Sequence, residues 1–251
     1  MIKYQTKRII GNAFEKVTAS FSTLSTTKRV VGIVCSNENT RDYGRVQLGL
    51  NVGGAEILPD DFPMILLTSE SNKYNRRAKA GLKRYFDLTP FAIKAGGQTV
   101  NISLKGNKEY AVDVILILDD IEVTDQQSRK YQIIRVIHSF NSTVKKSFTT
   151  PTDYKKVTGI SLIYYQPLGE FFYKGFSRLG LKVSGSDVLP IEYPASNLLV
   201  NSRCVQMDEN FYDLKPFDVS AGGTTAEITY THNVPSNCID PDLICVFEFS
   251  K

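Results

Sequence analysis

Apolar and polar residues alternate along most of this chain with a period of two. Val46, Leu48, Leu50 and Val52 are interleaved with Gln47, Gly49 and Asn51, and Val100, Ile102 and Leu104 with Asn101 and Ser103. Ile228 and Tyr230 follow the same rule further on. Alternation of this kind places one set of side chains on each face of an extended backbone and predicts strands. Val112 to Leu118 and Leu243 to Phe249 are further β-rich runs. Gly53-Gly54, Gly96-Gly97 and Gly222-Gly223 supply the positive φ that tight turns require. About eight strands per half of the chain, separated by such turns, suit a β-sandwich of Greek-key or jelly-roll type. One segment departs from the pattern. Ser71 to Arg84 is rich in helix formers, with Tyr74, Ala78 and Leu82 four residues apart, and predicts a short helix.

The pattern is written twice. Tyr85-Phe86-Asp87-Leu88-Thr89-Pro90-Phe91, running on to Ala95-Gly96-Gly97, returns as Phe211-Tyr212-Asp213-Leu214-Lys215-Pro216-Phe217, running on to Ala221-Gly222-Gly223. Lys3-Tyr4-Gln5 matches Lys130-Tyr131-Gln132, Gly32 matches Gly159, Leu48-Gly49-Leu50 matches Leu179-Gly180-Leu181, and Pro63 matches Pro194. The spacing between partners changes at only two places, one short insertion and one short deletion, which marks those places as loops. The chain is therefore expected to be all-β, two tandem β-sandwich (jelly-roll-like) domains over residues 1–126 and 127–251, with the short helical segment ahead of the central motif. Val123 to Lys130 is polar and serves as the linker.

The repeated motif reads as a structural corner. Pro90 and Pro216 lack an amide donor and keep the chain out of the middle of a ladder. Asp87 and Asp213 can accept bonds from amides just downstream. Phe86, Leu88 and Phe91 would plug the end of the sandwich. The predicted core comprises Leu48, Leu50, Phe91, Ile93, Val100, Ile102, Val114 and Leu116 in the first copy. In the second it comprises Leu179, Leu181, Phe217, Val219 and Ile228.

Composition adds limits. The chain is 42% hydrophobic and 22% charged, ordinary for a globular protein, and its net charge of +4 is too mild for a dedicated nucleic-acid binder. Cys35, Cys204, Cys238 and Cys245 show no CxxC spacing and no correspondence between copies, so they are expected to be buried thiols. The N-terminus has no apolar signal region and no run is long enough to span a membrane, which predicts a soluble chain folded in a reducing compartment. Asn101-Ile-Ser and Asn141-Ser-Thr are then incidental sequons.

No catalytic motif is visible. His138 and His232 occupy unmatched places, the second in a Thr-His-Asn turn, and neither belongs to a metal or nucleophile signature. Asp60-Asp61 falls in a Leu-Pro-Asp-Asp-Phe-Pro turn and lacks the oxygen ligands for calcium. No enzyme activity, cofactor, metal site or small-molecule substrate is expected. The most charged stretch holds Lys73, Arg76, Arg77, Lys79, Lys83 and Arg84 without an acid among them, whereas the corresponding place in the second copy carries Asp208 and Glu209. These eight residues are the candidate interface, facing each other between chains, with packaged nucleic acid or an anionic membrane as the other anionic partner. The aromatics number 13 Tyr and 14 Phe with no Trp, and Tyr164-Tyr165 with Phe171-Phe172-Tyr173 form a cluster. Exposed members of that cluster would suit a protein partner better than a sugar.

This plan resembles the double jelly-roll major capsid proteins of tailless icosahedral viruses and phages. The resemblance covers the whole chain and concerns architecture and length. It implies a virion structural protein made in the host cytoplasm. Three copies would associate as a pseudo-hexamer, with other virion proteins as further partners. A head-decoration, collar or tail protein of a tailed phage is the neighbouring alternative, since a duplicated domain also lets a ring meet a partner of doubled symmetry. A carbohydrate-binding or adhesin module is the alternative from another class, and would be expected to carry an export signal.

Overall fold

In the computed structural model the described residues are 1–37, 46–68, 85–124, 128–137, 142–165, 177–198, 211–232 and 242–251. They form two compact units, one spanning Met1–Ser128 and the other Arg129–Val200 with Phe211–Lys251. The first unit contains β1 (Lys3–Gly11), β2 (Lys16–Ser22), β3 (Arg29–Asn37), β4 (Gln47–Val52), β5 (Ala55–Pro63), β6 (Phe86–Asp87), β7 (Ile93–Lys94), β8 (Thr99–Lys105) and β9 (Tyr110–Asp119). One sheet runs β1-β9-β3-β6, with β7 also on β3, and the other runs β2-β8-β4-β5. All of these pairings are antiparallel.

The second unit repeats the design with β10 (Arg129–Val136), β11 (Ser142–Thr149), β12 (Lys156–Tyr165), β13 (Ser177–Val183), β14 (Ser186–Leu189), β15 (Tyr212–Asp213), β16 (Thr225–His232) and β17 (Asp242–Ser250). Its sheets run β10-β17-β12-β15 and β11-β16-β13-β14, the same order strand for strand. Eight strands in two such four-stranded sheets make a jelly roll, and the chain holds two. The equivalence extends to detail. Gly32 faces Asp87 and Gly159 faces Asp213. The ladder of β3 slips between Val30 and Gly32, and that of β12 between Val157 and Gly159. Pro63 lies opposite Gln47, and Pro194 bridges Arg178, their partners by duplication.

In each unit the inward side chains close one interior. In the second, Ile134, Val157, Leu179, Ile228, Phe247 and Phe249 from both sheets share a single core. In the first, the rings of Phe62 and Phe86 meet edge to face at 5.8 Å. All the expected core residues are buried except Phe217, which is 49% exposed.

Other expectations are corrected. Asp60 and Asp61 are not in a turn but within β5, whose ladder is irregular there. The reason is Gly49 on the adjacent strand, where a Cβ would come within 2.3 Å of Asp60 Oδ1; the missing side chain lets β5 ride over β4. His232 is not in a turn but is the buried last residue of β16. The linker is shorter than expected, because Arg129 and Lys130 already belong to β10. Within the described residues, helical structure is limited to short 3-10 turns such as Met64–Leu67 and Ala195–Leu198. The expected helix over 71–84 lies outside them.

Candidate assembly interface

The repeated corner is built identically in both copies. Asp87 Oδ1 accepts the Thr89 amide at 2.9 Å, and Asp213 Oδ1 accepts the Lys215 amide at 3.0 Å. A 3-10 turn follows, Thr89–Phe91 or Lys215–Phe217, with proline as its middle residue. Each turn is released by a residue in the left-handed region, Ala92 and Asp218, both at φ 50°. Leu88 and Leu214 donate their amides back to Val31 and Thr158, at 3.0 and 2.9 Å, and their side chains are fully buried. Local chemistry thus determines the backbone twice over.

The two phenylalanines part company. Phe91 is 3% exposed. It lines a hollow of about 450 Å³ together with Val52, Ile57 and Val123. The amide and hydroxyl of Ser128 both donate to Pro90 O, at 2.9 and 3.1 Å, and Lys28 pairs with Glu122 at 3.2 Å. The segment following β9 therefore lies along this corner. Among the described residues no such segment lies along the second corner; Phe217 is half exposed, and Asp218 pairs with Lys156 at 2.5 Å.

Three polar groupings sit near or in the cores. Ser177 Oγ is 2.8 Å from His232 Nδ1, and the Tyr230 hydroxyl is 3.2 Å from the serine and 3.1 Å from the same nitrogen. Serine and imidazole stand at nucleophile–base distance. All three residues are buried, however, and Ser177 Oγ, the Tyr230 hydroxyl and His232 Nδ1 are spent on one another, which is how a core satisfies such groups. On the other sheet, Glu248 receives Arg129 Nε at 2.9 Å and the Thr158 hydroxyl at 3.2 Å. Burial pushes the Glu248 carboxyl above its usual range, against the opposing pull of Arg129. In the first copy Arg29 donates to Asp119 at 3.0 Å, and the Met1 amine lies beside Asp119 and Asp120. The guanidinium holds Asp119 well below the carboxylate range, at about 2. Cys35 and Cys245 are buried free thiols pushed upward by burial, while Cys204 and Cys238 lie outside the described residues. Among the described residues no group of three His, Cys, Asp or Glu side chains is placed to hold a metal, and no helix is long and apolar enough to cross a membrane.

Lys73, Arg76, Arg77, Lys79, Lys83, Arg84, Asp208 and Glu209 all lie outside the described residues, as do His138 and Phe171 to Tyr173. What sequence reasoning missed is apolar surface. Tyr4, Ile10, Phe14, Ile137 and Phe217 are all about half exposed or more. The alternation along β1 carries the signal for two of them: Tyr4 and Ile10 occupy the register opposite to Ile9 and Gly11.

No family model and no curated protein matches the sequence. Solved structures do. The chain is similar to the major capsid protein of bacteriophage PM2, with 12% identity, a TM-score of 0.51, and coverage of 100% of this chain and 97% of that one. It also matches a chain in the atomic structure of Sulfolobus turreted icosahedral virus, with 11% identity, a TM-score of 0.48, and coverage of 99% and 90%. Peptide-N-glycosidase F of Flavobacterium meningosepticum matches at 16% identity and a TM-score of 0.36, over 98% and 96%. At such identities the first of these speaks for the fold. That match takes in both jelly rolls of this chain and nearly all of the phage protein.

Proposed function

We propose that this chain is a virion structural protein, a double jelly-roll major capsid protein of which three copies form a pseudo-hexameric unit of an icosahedral shell. The carrying observation is that the described residues form two jelly rolls of identical strand order, and that the chain is similar to a phage major capsid protein over 100% of its length and 97% of that protein's. Duplication gives the reading its physical sense, since three chains then supply six equivalent blocks to a six-fold position. On this reading residues 1–126 and 127–251 are the two blocks. The partners are further copies of the chain and other virion proteins, with packaged nucleic acid or an internal membrane as additional contacts. The basic segment from Lys73 to Arg84 meets Asp208 and Glu209 of a neighbouring copy. The protein is made in the host cytoplasm and resides in the virion.

The test is native mass spectrometry of the purified chain, followed by electron microscopy of concentrated samples. Trimers that tile into sheets or shells are the expected result. A chain that stays monomeric at every concentration and binds sugars on a glycan array would overturn it.

A further inference from the structure

The first corner carries a hollow and the second carries an exposed ring. Buried Val52, Ile57, Phe91 and Ile93 form the floor of the hollow of about 450 Å³, and exposed Ala55 and Lys94 stand at its rim. Among the described residues Lys94 is the one charged side chain that lines the hollow, and it forms no ion pair. A void beside apolar atoms forfeits their dispersion contacts, and a fitting apolar group restores them. An apolar cavity of about 150 Å³ holds a benzene ring. The hollow therefore has room for a phenyl group and part of the turn that carries it.

Phe217 supplies such a group. It is 49% exposed at the end of a turn whose backbone is fixed on both sides. The Lys215 amide bonds to Asp213 Oδ1 at 3.0 Å, Pro216 precedes the ring, and Asp218 follows it in the left-handed region. A ring held by so constrained a backbone loses little entropy on docking. The Asp218 carboxylate beside it is largely exposed, with Lys156 on one oxygen. The second corner thus joins an apolar ring to an anion, and the hollow joins an apolar floor to a cation. The two match in size, polarity and charge.

We propose that Phe217 of one copy docks in the hollow beside Phe91 of a second copy, with Asp218 facing Lys94. Each chain carries one ring and one hollow, on different units, so the contact is heterologous. Repeating such a contact about an axis closes a ring of subunits. The assignment deepens the shell-building reading and rests on it for the number of copies in that ring.

Phe217→Glu removes the ring and Ala55→Trp fills the hollow, both at exposed positions. Their folding is checked by circular dichroism and by thermal midpoints within a few degrees of wild type. Each variant alone is expected to self-associate at least about tenfold more weakly in sedimentation velocity, as loss of a central interface anchor does. Mixed in equal amounts, the two retain one intact ring and one intact hollow between them, and are expected to form a one-to-one pair. A benzophenone amino acid in place of Phe217, in a mixture of isotopically heavy and light chains, is expected to cross-link between chains to residues 52–57 or 91–98. This last measurement stands if either variant fails to fold. Wild-type association of both folded variants, a mixture that stays apart, or cross-links elsewhere or confined to one chain would overturn the assignment while leaving the capsid reading intact. A wild-type chain that never associates would overturn both.

Discussion

At Phe91 and Phe217 the same turn presents the same ring, once enclosed and once half bare. The turns share their Asp acceptor, their proline, their left-handed release residue and their buried leucine. Nothing within the motif distinguishes them. The difference lies in what the rest of the chain places on top, namely Val123 and Ser128 in the first copy. A second contrast points the same way. Ile117 and Val31 in the first unit stand where Glu248 and Thr158 stand in the second. After duplication, backbone geometry was kept and the surroundings diverged. Conservation of a motif therefore reports on the turn and not on the fate of every ring in it.

The largest expected effect sets the corners against each other. Phe91→Ala should lower stability by about 3–5 kcal/mol in urea unfolding, whereas Phe217→Ala should cost less than about 1 kcal/mol. Equal losses would break the comparison.

Next in size is Arg129→Ala, which leaves the Glu248 carboxylate in its buried site without its cation. The expected loss is about 2 kcal/mol at neutral pH, and it should shrink as the pH is lowered. The sign follows from the raised Glu248 carboxyl: its folded form holds a proton more readily than the unfolded chain. Its contribution is thus fully present below the ordinary carboxylate range and is lost as pH rises through the raised value. An Arg129→Ala loss that grows on acidification would contradict this.

The paired glycines give a smaller effect. A Cβ at Gly32 would lie 2.2 Å from the Tyr85 ring, whereas at Gly159 the nearest atom, Phe211 Cβ, is 3.2 Å away. Gly32→Ala should therefore destabilise by about 1–3 kcal/mol and Gly159→Ala by less, read from thermal midpoints of the two variants.

The smallest contrast is acid sensitivity. Asp119, held at about 2 by Arg29, contributes stability above the ordinary carboxylate range that is lost as pH falls through about 2. Ser250 occupies its place in the second unit. Asp119→Ser should flatten the acid limb of the stability curve, measured by unfolding between pH 5 and pH 2. An unchanged limb would assign the acid sensitivity elsewhere.

The alternation and the repeat carried the architecture because a period of two and a paired register are local properties. Val100 to Leu104 announces which residues face inward, and the recurrence of Asp-Leu-x-Pro-Phe announces the same turn twice. The strand order itself is read only from the structure. The candidate interface was drawn instead from charge, the feature that sequence displays most openly, and the basic run and its acidic counterpart remain a proposal. The alternation along β1 sets Tyr4 opposite to Ile9, but that Tyr4 is exposed while its repeat partner Tyr131 is buried is written in neither copy of the pattern.

The sequence by itself determined the all-β class, the duplication, the place and geometry of both corners, and nearly all of the inward-facing residues. These depend on backbone preference and on alternation, which act over a few neighbouring residues. Only the tertiary structure decided that Phe91 is covered while Phe217 is half exposed, that His232 closes a buried triangle with Ser177 and Tyr230, and that Tyr4 is exposed where its repeat partner Tyr131 is buried. Burial is a property of what arrives from elsewhere in the chain, over separations that no local pattern records.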